Sequence, residues 1–167
     1  ALKNSNLVKG AIGIFVYVGA EVAIGSYLVS YFLDMNLAEE IKSSGFLSTI
    51  SESVLNTSNL SSIDAKGIVA AFVMFYWGGA MVGRFIGAYL TSILAPGKVL
   101  GAFAAGALLM ILISMSTTGL TAMISILAVG LFNSIMFPTI FTIAIEELGD
   151  LKPQGSGILC TAIAGGA

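Results

Sequence analysis

The sequence predicts an all-α fold, a polytopic transmembrane helix bundle. Three observations carry that reading. Four apolar stretches each approach or exceed the roughly 20 residues that a helix needs to cross a hydrocarbon core of about 30 Å. Charged residues make up 10% of the 167-residue chain and hydrophobic ones 57%, against about 25% charged in an ordinary soluble domain. The mean hydropathy is +0.99. In lipid an unpaired backbone group has no water to answer it, so each spanning stretch has to be helical.

The first stretch covers residues 8–33. It is longer than the roughly 7–15 residues of a signal-peptide core and carries an internal carboxylate, so it reads as a true span. The second covers 67–94, the third 99–117 and the fourth 120–145. A fifth begins near 155 and still runs at 167. With Ala1 in place of a Met and an apolar C-terminal end, the chain reads as a fragment.

The connections differ in kind. Ala95-Pro96-Gly97-Lys98 is a tight turn, and Thr118-Gly119 a tighter one. Residues 146–154 form a short charged link. Residues 34–66 form a long polar loop, in which Phe46, Leu47, Ile50, Val54 and Leu55 recur at helical spacing. Two readings stay open there: an amphipathic helix on the membrane surface, or a loop helix packed on the span ends. The sequons at Asn56 and Asn59 are short enough to arise by chance.

Charge sets the orientation. Lys3, Lys9, Lys98 and Lys152 fall on one side of the membrane. Lys42 and Lys66 fall on the other, among Asp34, Glu39, Glu40, Glu52 and Asp64. Short loops decide the positive-inside rule, so the first side is cytoplasmic, with the N-terminus, and the 34–66 loop is extracytoplasmic.

Several function classes are excluded. A net charge of −2 without a Lys/Arg cluster gives nucleic acid no phosphate-binding surface. One cysteine, Cys160, permits no internal disulfide. The absence of histidine removes the usual general base and metal ligand, and no Gly-rich phosphate loop is present. No enzyme, metal site or cofactor is expected.

The spans differ in polarity. The third carries only Ser114 and Ser116 until its end and reads as a lipid-facing helix. The others hold polar groups at depth. Glu21 sits halfway along the first span, where an ionisable group costs about 3 kcal/mol or more. Desolvation penalises its ionised form, which makes it a candidate proton acceptor. The bland alternative is a carboxyl that bonds a neighbouring helix. Tyr17, four residues earlier, shares its face and could bond it or line the same cavity.

Asn133 lies near the middle of the fourth span. Its amide offers two donors and an acceptor to a polyhydroxylated ligand, or it is interhelical glue. Pro138 should kink that span and free a carbonyl. Tyr76 and Trp77 offer ring faces to sugar C–H groups, or simply pack; Gly78 and Gly79 allow close helix approach. Arg84 lies too deep for water unless it snorkels or finds a carboxylate or helix-end carbonyls. It is either a conformational latch or a static pin.

The strings from Tyr17-Val18-Gly19-Ala20-Glu21 to Ser26-Tyr27-Leu28, and from Phe75-Tyr76-Trp77-Gly78-Gly79 to Gly83-Arg84-Phe85-Ile86-Gly87, resemble the fucose–galactose–glucose:proton symporters of the major facilitator superfamily. The glucose/galactose transporter branch is nearest. Phe137-Pro138-Thr139-Ile140-Phe141 and Glu147-Leu148-Gly149 are similar to that family's tenth helix and the loop after it. The loop motif of the superfamily is degenerate, with no Asp between Gly87 and Gly97-Lys98.

The resemblance implies helices seven to ten of twelve, with eleven begun. Seven, eight, ten and eleven would line a cavity and nine would sit outside, the same order that polarity suggests. It implies proton-coupled hexose uptake by alternating access in a bacterial-type inner membrane. The partners would be a hexose, the lipid bilayer and the missing N-terminal half, and a proton would be the coupling ion. Glu21 is then a sugar contact or a second acidic group. Two alternatives stay open: a major-facilitator transporter of a non-sugar solute, and a structural subunit without a pathway.

Overall fold

The computed structural model describes residues 4–167. Its long helices are α1 (Ser5–Asp34), α4 (Ala65–Ile93) and α5 (Pro96–Ser116). The fourth span is two pieces, α6 (Gly119–Asn133) and α7 (Met136–Ile145). Two short helices, α2 (Leu37–Ser43) and α3 (Gly45–Leu55), join α1 to α4, and α8 (Lys152–Gly166) closes the chain. Among the described residues, α1, α4, α5 and the Gly119–Ile145 pair are long and apolar enough to cross a membrane.

Local chemistry sets the ends. The Asn4 side chain accepts the backbone N–H groups of Asn6 (2.9 Å) and Leu7 (3.2 Å) at the start of α1. Asn36 stops α1 in the left-handed conformation at φ 54°, and Asn56 ends α3 the same way at φ 49°. Pro96 opens α5 in the first turn, where a missing N–H costs nothing. Gly119 turns the chain from α5 into α6 at φ +66°.

The spans alternate in direction. Gly10 and Gly13 of α1 meet Ala144 and Ile140 of α7, an antiparallel pairing. Gly130 of α6 lies against the Tyr76 carbonyl, and Gly83 and Gly87 of α4 lie against the Leu131 carbonyl and Ile135, a parallel pairing. The α1 start, the α4–α5 turn and the α7–α8 link therefore share one end, with Lys9, Lys98 and Lys152. Lys3, assigned to the same side, lies outside the described residues. The Asn6 amide donates to Glu147 at 3.0 Å across this end.

Two apolar clusters fill the bundle. One, at the α2–α3 end, holds Leu28, Phe32, Ile68, Phe72, Met123 and Tyr76. The other, at the opposite end, holds Leu7, Ile14, Tyr17, Ala144 and Leu159. The long loop settles onto the first. Leu37, Ala38 and Ile41 of α2 are buried in it, and Leu47, Ile50 and Leu55 of α3 pack against it. The reading of a helix packed on the span ends therefore describes α3. Phe46 alone of its apolar row stays open, at 74% exposure.

Two details depart from the polarity reading. The exposed side of α5 is Leu108, Leu109, Leu112 and Met115, but Ser114 is buried. Its carbonyl accepts the Tyr31 hydroxyl (3.0 Å) and its own hydroxyl donates to the Ala122 carbonyl (2.9 Å), tying α1, α5 and α6 together. The close approach of α4 to α6 uses Gly79, Gly83 and Gly87, while Gly78 faces open space.

Candidate functional site

The site lies where the two apolar clusters meet, since Tyr76 belongs to one and Tyr17 to the other. Tyr17 and Glu21 stand one turn apart on α1, a spacing that puts both on one face. Tyr17 is 8% exposed, and its hydroxyl donates to the Asn133 carbonyl at 2.9 Å. Asn133 is the last residue of α6, where helix carbonyls lack intrahelical partners. Its side-chain Nδ2 donates to the Tyr76 hydroxyl at 3.1 Å. Three residues singled out by polarity thus form one hydrogen-bonded chain across α1, α6 and α4.

Glu21 is half-buried, one helical turn from Tyr17 on the same face of α1.

Tyr76 and Trp77 are neighbours about 100° apart around the α4 axis, so they cannot share a surroundings. Tyr76 is 1% exposed, on the face that runs through Gly79, Gly83 and Gly87 against α6. Trp77 is 57% exposed and meets the Tyr76 ring edge-on, with centroids 5.5 Å apart. Arg84 is two turns beyond Trp77 on that open face. The carboxylate partner expected for Arg84 is not found among the described residues, where Lys42–Glu39 at 3.0 Å is the one ion pair.

The helical hydrogen bonding of the fourth span lapses at Ser134–Ile135, a break in the bonding ladder only, since both residues keep right-handed helical backbone angles. Pro138 has no N–H for the Ser134 carbonyl four residues back, so the break falls one turn before the proline. Regular bonding resumes with Thr139 N–H to the Ile135 carbonyl at 3.1 Å. Beside the break, Arg84, Thr91, Pro138, Thr139 and Thr142 line a cavity of about 340 Å³. The three threonines escaped the sequence reading. Thr139 and Thr142 share a face of α7 at i, i+3 spacing, which was the available signal.

A second cavity, of about 610 Å³, runs between α1, α5 and α7. Tyr17 and Asn133 reach it, but Glu21, Tyr76, Trp77 and Arg84 do not, and its walls are otherwise mostly apolar. The polar cluster, with the open face of Trp77 and Arg84, is therefore the better candidate for solute chemistry.

No family model matches the chain. The chain is 49% identical over 167 residues to a protein named glucose/galactose transporter from Brucella abortus, covering all of this chain and 35% of that one. It is 41% identical over 164 residues to a putative glucose/galactose transporter of Helicobacter pylori, covering 98% of this chain and 34% of the relative. It is 35% identical over 156 residues to the L-fucose-proton symporter of Escherichia coli, covering 91% of this chain and 29% of the relative. The fold is similar to a crystal structure of a Major Facilitator Superfamily transporter, FucP, in the outward conformation. The TM-score is 0.75 at 29% identity, over 97% of this chain and 33% of that one. The chain spans about a third of the length of the curated relatives it matches.

Proposed function

Because the chain belongs to the fucose–galactose–glucose symporter family of the major facilitator superfamily, we propose that it serves proton-coupled uptake of a hexose. The full protein would alternate access by rocking two halves around a site near the bilayer midplane. This chain contributes the helices on one side of that site, and alone it does not transport. The membrane is a bacterial inner membrane, and the N-terminal end of α1 is cytoplasmic, by the short-loop lysines.

The observation that carries the reading is the polar chain Tyr17–Asn133–Tyr76 beside Glu21 at a break in a spanning helix. Broken spans with polar groups at depth suit solute and coupling-ion sites. Glu21 and Asn133 contact the sugar or the proton. Tyr17 and Trp77 line the solute pathway, with the exposed Trp77 ring as the stacking face, and the buried Tyr76 holds the Asn133 amide behind them. Arg84 acts as a latch, its carboxylate supplied by the remainder of the protein. No cofactor enters; the proton gradient supplies the driving force.

The test is proton-driven uptake of glucose and galactose by the full-length protein carrying Glu21→Gln. Uptake should fall by about ten-fold or more, the loss of one coupling interaction. Undiminished uptake by a well-expressed variant would remove the role given to Glu21.

A further inference from the structure

We propose that Tyr17 is the positioning residue through which the protonation state of Glu21 acts on the break in the fourth span, its hydroxyl proton being shared between two rival acceptors. The inference rests on the transport reading above and deepens it.

The hydroxyl has one proton to donate. In the structure it goes to the Asn133 carbonyl at 2.9 Å, with the Glu21 carboxyl one turn away on the same helix face. The two acceptors differ in kind. The carbonyl is neutral in every state, while the carboxyl is neutral or charged. A charge-assisted hydrogen bond is about twice as strong as a neutral one. When Glu21 holds a proton, the carbonyl is a competitive acceptor and the bond to Asn133 persists. When Glu21 gives its proton up, the carboxylate draws the Tyr17 hydroxyl to itself, and the Asn133 carbonyl is released.

That carbonyl is a consequential one to release. It is the last carbonyl of α6, and Ser134 and Ile135 separate it from α7. Asn133 also bonds Tyr76 through its side chain, so a movement at this residue is passed to α4. The proton on α1 is thereby linked to the gap in helical hydrogen bonding between α6 and α7.

The ionisable groups acting on Tyr17 are Glu21 on its own helix and Tyr76 and Arg84 on α4. The sequences of α6 and α7 hold no Asp, Glu, Lys, Arg or Tyr, and α8 holds only Lys152 at its start and Cys160. Among the described residues, Glu21 is the carboxyl that shares a helix face with this hydroxyl.

The experiment uses the full-length protein in proteoliposomes. Accumulation of galactose under an imposed pH gradient is compared with galactose counterflow, which needs no net proton movement. In Tyr17→Phe, the loss in accumulation should exceed any loss in counterflow by about ten-fold, the scale of a typical coupling energy. Equal losses in the two assays mean that Tyr17 only holds the fold or binds sugar, and the proposal is wrong. If Glu21→Gln is impaired while Tyr17→Phe accumulates normally, the relay fails and the role of Glu21 stands. If Glu21→Gln is normal in both assays, the underlying transport reading of Glu21 fails too. Should Tyr17→Phe not fold, Tyr17→3-fluorotyrosine keeps the ring and strengthens the donor. The pH midpoint of accumulation should then move further than the pH midpoint of counterflow. An unmoved midpoint overturns the proposal.

Discussion

At the scale of single residues, burial separates side chains that look alike in the sequence. Tyr76 and Trp77 are both aromatic and adjacent, yet one is sealed and the other open. The Tyr76 hydroxyl answers the Asn133 amide at 3.1 Å. Tyr76→Phe leaves that buried N–H without a partner, which costs about 1–3 kcal/mol. Thermal unfolding of the detergent-solubilised protein should show the loss. Trp77→Phe removes no buried hydrogen bond, so its unfolding should stay within about 0.5 kcal/mol of the parent, as for most exposed positions. Its effect belongs in the KM for sugar, which should rise as the larger stacking face is lost. A Trp77→Phe variant that unfolds earlier but binds sugar normally would reverse these assignments. The residues of the candidate site could be picked out in the sequence because polar groups in spans are few. Which of two neighbours turns inward depends on where α6 sits, and no local signal on α4 states that.

At the scale of elements, contact between α4 and α6 depends on missing side chains. A Cβ at Gly83 would run into the Leu131 carbonyl, a backbone group that cannot turn aside. Gly83→Ala should therefore destabilise the protein by roughly 1–3 kcal/mol, the usual cost of overpacking. Gly78 has nothing within 4 Å. Gly78→Ala should be neutral, or stabilising by up to about 1 kcal/mol from helix propensity. Unfolding midpoints of the two variants check the contrast, and equal losses would refute the packing account. The sequence showed a Gly-rich α4 but pointed to Gly78 and Gly79. The face that packs is set by the 3.6-residue period running through Tyr76, Gly79, Gly83 and Gly87. The break in the fourth span was more legible, because proline chemistry is local. Its position one turn before Pro138 follows from the missing N–H. The same logic gives a functional prediction. Pro138→Ala lets the Ser134 carbonyl regain a partner and closes the gap in the bonding ladder, so it should raise the unfolding midpoint and slow uptake. Faster uptake would show that the break is incidental.

At the scale of the whole molecule, the number and order of helices were readable because hydrocarbon thickness allows few alternatives. Residues 34–66 were harder. The spacing of Phe46, Leu47 and Ile50 says that a helix has an apolar side, not whether lipid or protein covers it. The structure gives most of that side to the bundle, since Leu47, Ile50 and Leu55 meet the cluster around Phe32 and Phe72. Which way the bundle points is a separate question, on which charge bears. Lys9, Lys98 and Lys152 sit in or beside short connections at one end, whereas Lys42 and Lys66 are diluted by Asp34, Glu39, Glu40, Glu52 and Asp64 at the other. Lys42 is further engaged by Glu39 at 3.0 Å. The lysines of the short connections should therefore be held in the cytoplasm. Single cysteines report this directly, once Cys160 has been replaced by serine in a full-length protein cleared of its other thiols. Ser53 on α3 and Gly97 at the start of α5 are both exposed and lie at opposite ends. In intact cells a membrane-impermeant maleimide should label Ser53→Cys and leave Gly97→Cys unmodified until the cells are permeabilised. The reverse pattern would turn the bundle over. It would place the Arg84–Thr139 cavity on the outer side, and sugar would then meet Arg84 on entry instead of on release.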